Sequence, residues 1–106
     1  MFRLAVLQSP SELVGPEARL AWLGDMLREI TGRGVDLVLL PELFMTGYNV
    51  GSNLVAWAEP ADGPFARRVA ALAKAHEVAI HYGYPECCDG MIYNAAQCIG
   101  PDGECL

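Results

Sequence analysis

Glu42 is the residue in this sequence best placed for acid-base chemistry. It follows Pro41 directly on the carboxyl end of Val35 to Leu40, a run that is apolar except for Asp36 and rich in branched residues. Such a run suits a strand covered on both faces. In open α/β sheets the loops leaving the carboxyl ends of the strands form the ligand crevice, which puts Glu42 in a catalytic position. Leu43, Phe44 and Met45 follow, then Thr46-Gly47-Tyr48-Asn49. Those apolar neighbours are expected to shield the carboxylate from water, and a half-buried carboxylate is the better proton acceptor near neutral pH. The competing reading is a solvated loop residue, or a cap for a nearby N–H.

The other reactive side chains give weaker patterns. Cys87, Cys88, Cys98 and Cys105, with His76 or His81, raise the question of a metal. Structural zinc sites usually show paired C-x2-4-C spacing, whereas these cysteines stand side by side or ten and seven apart. Small apolar packing accounts for the thiols. His81 alternates along a strand between Ile80 and Tyr82 and reads as a packed residue. No metal is expected, and no cofactor either, because neither common glycine-rich phosphate loop occurs. Lys74 falls on the polar side of a helix and reads as a solvated charge.

Strands and helices on either side of Glu42 set where it stands. Phe2 to Leu7 reads as a buried strand closed by Gln8-Ser9-Pro10. Pro16 suits the first turn of a helix, where its missing N–H has no partner to lose. Leu20, Leu23, Leu27 and Ile30 then recur at helical spacing, with Glu17, Arg19, Asp25, Arg28 and Glu29 opposite, until Gly32 and Gly34 stop the helix. Val35 to Leu40 is the second strand, parallel to the first through a right-handed crossover. Pro41 to Asp62 reads as a loop, and a second helix starts near Pro64 with Phe65, Val69, Leu72 and Ala73 on one face. Val78 to Tyr84 and Ile92 to Ile99 are strands three and four, joined by a hairpin connection at Pro85 to Gly90. The order is strand-helix-strand-helix-strand-strand, an α/β fold.

Gly100-Pro101-Asp102-Gly103 is a strong turn signal, yet only Glu104, Cys105 and Leu106 follow it. Cys105 reads as the start of a fifth strand. The edge at Ile92 to Ile99 would otherwise lie unpaired, so the chain is expected to be the front part of a longer domain.

Composition narrows the partners. A chain of 106 residues is one small domain, and 53% apolar residues exclude disorder. Thirteen acidic residues against seven Lys and Arg leave a charge of −6, so nucleic acid and membrane surfaces are not expected partners. Met1 to Leu7 is too short for a signal segment, and the chain reads as cytoplasmic with reduced thiols.

The string Leu39-Leu40-Pro41-Glu42-Leu43-Phe44-Met45-Thr46-Gly47-Tyr48-Asn49 resembles the glutamate motif of the nitrilase, or carbon-nitrogen hydrolase, superfamily. Arg3 to Gln8 is similar to that family's first strand and Gly34 to Val38 to the lead-in to its second. Ala58 to Pro64, Tyr82 to Glu86, Tyr93 to Gln97 and Gly100 to Gly103 extend the likeness in the family's order, closest to its amidase branch. The resemblance implies a four-layer α-β-β-α sandwich, of which this chain is a part. It also implies a Glu-Lys-Cys triad acting on a small-molecule amide or nitrile, with Glu42 as general base. The family's lysine and cysteine would lie beyond Leu106, so the chain is expected to be inactive alone. The alternative is a non-catalytic split module that folds with a partner segment. Tyr48 is a candidate substrate-binding residue or a cover for the sheet edge; Asn94 either orients Glu42 or bonds its neighbours. The resemblance further implies self-association of a full-length protein.

Overall fold

The first helix begins where Pro16 meets the extended backbone of Val14, and α1 spans Gly15–Ile30. Leu20, Leu23, Leu27 and Ile30 are buried along one stripe, as their spacing requires. A 3-10 turn at Thr31–Arg33 and left-handed Gly34 end it. In this computed structural model, which describes residues 1–106, four strands follow from the apolar runs: β1 (Leu4–Val6), β2 (Leu37–Leu39), β3 (Ala79–Cys88) and β4 (Met91–Ile99). They form one sheet in the order β1-β2-β3-β4. The first two pairings are parallel and the last is antiparallel.

Two connections differ from the sequence reading. The expected loop after β2 contains a short helix, α2 (Asn53–Trp57), whose Trp57 ring packs against Gly15 closely enough that a Cβ there would sit 3.2 Å from it. The expected six-residue hairpin connection is only two residues long. β3 runs on through Cys88, and the turn is Asp89-Gly90, with φ of 50° and 75°, the positive pair that a two-residue type I′ turn demands. Pro85 is tolerated inside the strand because its carbonyl, and hence its missing N–H, faces Glu59 rather than β4.

α3 (Pro64–His76) starts at Pro64, and the Glu59 carboxylate accepts the Phe65 N–H at 2.8 Å, a cap supplied from outside the helix. Phe65, Val69 and Ala73 pack with α1 over Val38, Ile80, Tyr82 and Ile99, so both long helices cover one face of the sheet. The other face is bare along β1 and β2. Leu4 is 50% exposed and Val6 62%, while Leu37 and Leu39 are half-buried. The first strand is therefore not a buried strand, and β2 is not covered on both faces. Alternate residues point to opposite sides of a strand, and only the helix side has a layer against it. One helix layer on one sheet makes half of a four-layer arrangement.

Candidate active site

The Glu42 turn is built at the carboxyl end of β2. Leu40 keeps register with the neighbouring strand for one more residue by donating its N–H to His81 O at 2.9 Å. The chain then folds back: the N–H groups of Thr46 and Gly47 donate to Leu43 O at 3.2 and 2.8 Å, and Leu43 takes a φ of 50°. Met45 N–H to Gly83 O at 3.1 Å and Gly83 N–H to Pro41 O at 3.3 Å stitch this turn to β3. Contact is so close that a Cβ on Gly83 would lie 2.5 Å from Leu43 N and 2.9 Å from Glu42 Cα. Glycine is the one residue that lets the two backbones meet.

Phe44 and Met45 turn inward, 0% and 1% exposed, and the Phe44 ring joins a chain of aromatic contacts with Trp22, Phe65, Tyr82 and Tyr84. The apolar neighbours therefore anchor the turn from below rather than shield the carboxylate. Glu42 itself is exposed, which corrects the expectation that it would be half-buried. Its carboxylate is nonetheless held at both oxygens. Tyr48 Oη donates to Oε2 at 3.1 Å, and Asn94 Nδ2, from β4, donates to Oε1. The Tyr48 phenol is raised above its ordinary value, first by desolvation, then by its hydrogen bond to Glu42 and the charge of that carboxylate. Tyr48 and Asn94 thus meet on one side chain, although each had two readings from sequence.

A cleft of about 500 Å³ opens beside them, lined by Glu42, Tyr48, Asn49, Ser9, Ser11 and Arg19 among others. Arg19 corrects the helix-face reading, since it is 4% exposed rather than solvated beside Glu17. Burial lowers its proton affinity below the ordinary guanidinium value. Its head group points back to the Glu42 turn instead of outward. Gly83 and Arg19 are the two residues that sequence reasoning missed. An isolated glycine inside a strand pattern was a signal for the first; nothing in the spacing marked the second.

The remaining reactive groups lie elsewhere. Lys74 is exposed in the last turn of α3. Cys105 is exposed in a single bridge to Ile99, its thiol 3.6 Å from Gln97 Oε1, and it lines a groove with Ala66 and Arg67 rather than the cleft of Glu42. Cys87 and Cys88 are exposed next to the hairpin turn, and burial followed by the Cys105 charge raises the Cys98 thiol. No three His, Cys, Asp or Glu side chains gather as metal ligands, and no helix is long and apolar enough to cross a membrane.

A mixed α/β sheet presenting a pinned carboxylate at its carboxyl edge defines a class of α/β proteins with a ligand crevice at the strand ends. Residues 3–106 match the family model of the carbon-nitrogen hydrolases, and the chain belongs to that family, within the nitrilase superfamily. It is 45% identical over 106 residues to a hydrolase encoded in the pqqF 5′ region of Pseudomonas protegens, covering 98% of this chain and 36% of that protein. Among solved structures, a CN-hydrolase superfamily protein from Xanthomonas campestris with an arsenic adduct in its active site superposes with a TM-score of 0.84 at 25% identity, over 99% of this chain and 38% of that one. An alanine variant of the amidase from Nesterenkonia sp. AN1, solved in complex with butyramide, gives 0.82 at 25% identity, over 99% and 41%. The chain thus spans little more than a third of the length of the first relative.

Proposed function

We propose that these residues are the N-terminal part of a single hydrolase domain that cleaves a small-molecule amide to an acid and ammonia, with Glu42 as its general base. The observation that supports this best is the carboxylate pinned by Tyr48 and Asn94 at the edge of the sheet. The lysine and the cysteine nucleophile come from residues beyond this chain. Glu42 takes the proton from the thiol, whose free value near 8.5 leaves it mostly protonated at neutral pH. The thiolate adds to the amide carbon, and the lysine charge stabilises the oxyanion. Collapse expels ammonia, which leaves with the proton Glu42 carried, and an acyl-enzyme remains. Water then attacks that thioester, its proton passes through Glu42 to the sulfur, and the acid departs.

The hydrogen bonds from Tyr48 and Asn94 aim the carboxylate without neutralising it, as a base requires. Tyr48 also lines the mouth of the cleft, where it would touch the acyl group. The butyramide bound by the Nesterenkonia amidase supports an amide as the substrate class. The test compares ammonia release from short aliphatic amides by the 106 residues alone and by the same chain joined to its downstream coding sequence. Turnover by the joined protein and none by the short one is the expected result. Turnover by the short chain would overturn the division of the triad.

A further inference from the structure

Arg19 is the one charged side chain of the fold that is buried, and it stands directly beneath the Glu42 turn. Its donors reach three separate stretches. Nε donates to Phe44 O, two residues beyond Glu42; Nη1 donates to Leu13 O at 2.9 Å, just before α1; Nη2 donates to Ser9 Oγ at 2.6 Å, in the loop after β1. All three acceptors are uncharged. Arg28 and Arg68 at the surface pair with Asp25 and Glu17, but no carboxylate pairs with Arg19.

A buried guanidinium without a counter-ion is a poor way to gain stability, because its desolvation is offset by oxygens and ring contacts alone. Here the Phe44 ring lies 5.1 Å from the guanidinium carbon. What the group does supply is geometry: a planar fork whose donors are fixed at set angles to one another. The turn also closes around it from the other side. Gly47 has a φ of 85°, and a Cβ there would come within 3.2 Å of Arg19 Nη1.

We propose that Arg19 is a positioning residue for the Glu42 carboxylate, clamping the Phe44 carbonyl, and with it the turn, to the start of α1 and the loop after β1. The inference rests on the hydrolase reading of Glu42. It adds a device from the helix layer to the two partners, Tyr48 and Asn94, that touch the carboxylate itself. Without the clamp the turn keeps its bonds to β3 through Pro41 and Met45, but the Phe44 carbonyl loses the tie that fixes it against α1.

The experiment uses the chain joined to its downstream coding sequence. Arg19→Met keeps the apolar stem and removes every donor, while Arg19→Lys returns a charge and one fixed reach. For Arg19→Met the expected result is a fall in kcat of about 10- to 100-fold with KM within about threefold, the size that sub-ångström misplacement of a reacting group produces. Arg19→Lys recovers part of that loss. Amide exchange at Thr46 and Gly47 quickens by about tenfold or more in Arg19→Met, while exchange in α3 is unchanged. Ile30→Val, buried in the same helix away from the turn, lowers the melting temperature and leaves kcat alone.

Parental kcat in Arg19→Met at a temperature where both proteins are folded would overturn the proposal, since Arg19 would then serve stability only. Should Arg19→Met not fold, Ser9→Ala and Arg19→Lys each weaken the fork in part, and a graded fall in kcat is expected; no change in either would also overturn it. A parent protein that hydrolyses no amide defeats the hydrolase reading separately, and unchanged exchange at Thr46 and Gly47 would then defeat the clamp on its own.

Discussion

A methyl group at position 83 gives the sharpest way to move the Glu42 turn without touching Glu42. In Gly83→Ala the new Cβ would lie 2.5 Å from Leu43 N, against 3.4 Å for the nearest ordinary contact, so the two backbones must part by about 0.9 Å. The atoms it meets, Leu43 N and Glu42 Cα and C, are all backbone, so no side chain can swing aside to make room. The stability cost of such overpacking is about 1–3 kcal/mol. The larger effect is on the reaction. Displacing a base by about 1 Å costs on the order of 10²-fold in rate, and the move also strains Met45 N–H to Gly83 O, one of the two bonds that stitch the turn to β3. Ammonia release by the protein completed with its downstream residues is the assay, run beside a thermal melt so that kcat is compared at a temperature where both proteins are folded. The expected result is a loss of about 100-fold in kcat. A Gly83→Ala protein within threefold of the parent would refute the claim that close contact between β3 and the turn sets the position of the base.

Tyr48→Phe and Asn94→Ala each remove one hydrogen bond from an exposed carboxylate, and steady-state assays should show kcat lowered by about 2- to 10-fold in each. The double variant should depart from the product of the two, because both partners hold the same group. Tyr82 is raised to about 12, chiefly by desolvation, so its contribution to stability is complete below pH 10 and is lost as pH rises from there through 12. Melts across that range should fall steeply in the parent and less so in Tyr82→Phe, the difference approaching about 2–3 kcal/mol. Val6→Asp tests the bare face of the sheet: it should make the 106 residues less prone to aggregate, yet unfold the completed domain at lower temperature, because the added sheet would bury the charge.

Where local chemistry decided structure, the sequence was readable. Pro16 and Pro64 mark two helix starts, and the spacing of Leu20, Leu23 and Leu27 marks the face of α1 that meets the sheet. Glu42 at the end of β2 needed only the apolar run before it. Arg19 is illegible in the spacing because helical periodicity sorts side chains by direction from the axis, and a long stem can carry a charge from a polar-looking position back over the core. The sequence suggests Phe44 and Met45 as a screen for Glu42, but a tight turn with Leu43 at positive φ sends them into the core and the carboxylate outward. Pro85 looks like a strand end in the sequence, yet β3 runs through it because its missing N–H points away from β4. The bare face of β1 was invisible for a different reason: an apolar residue is the same letter whether or not a second layer covers it.

In the proposed reaction a single carboxylate, Glu42, takes the proton from a nucleophile supplied by residues beyond Leu106. The most direct measurement is amide turnover by the completed protein in three forms: parent, Glu42→Gln and Cys105→Ser. Loss of the base should lower kcat by about 10²- to 10⁴-fold in Glu42→Gln, while Cys105→Ser, which lies outside the Glu42 cleft, keeps the parental rate. Undiminished turnover in Glu42→Gln would show that Glu42 is not the base, and its loss in Cys105→Ser would put the nucleophile within these residues.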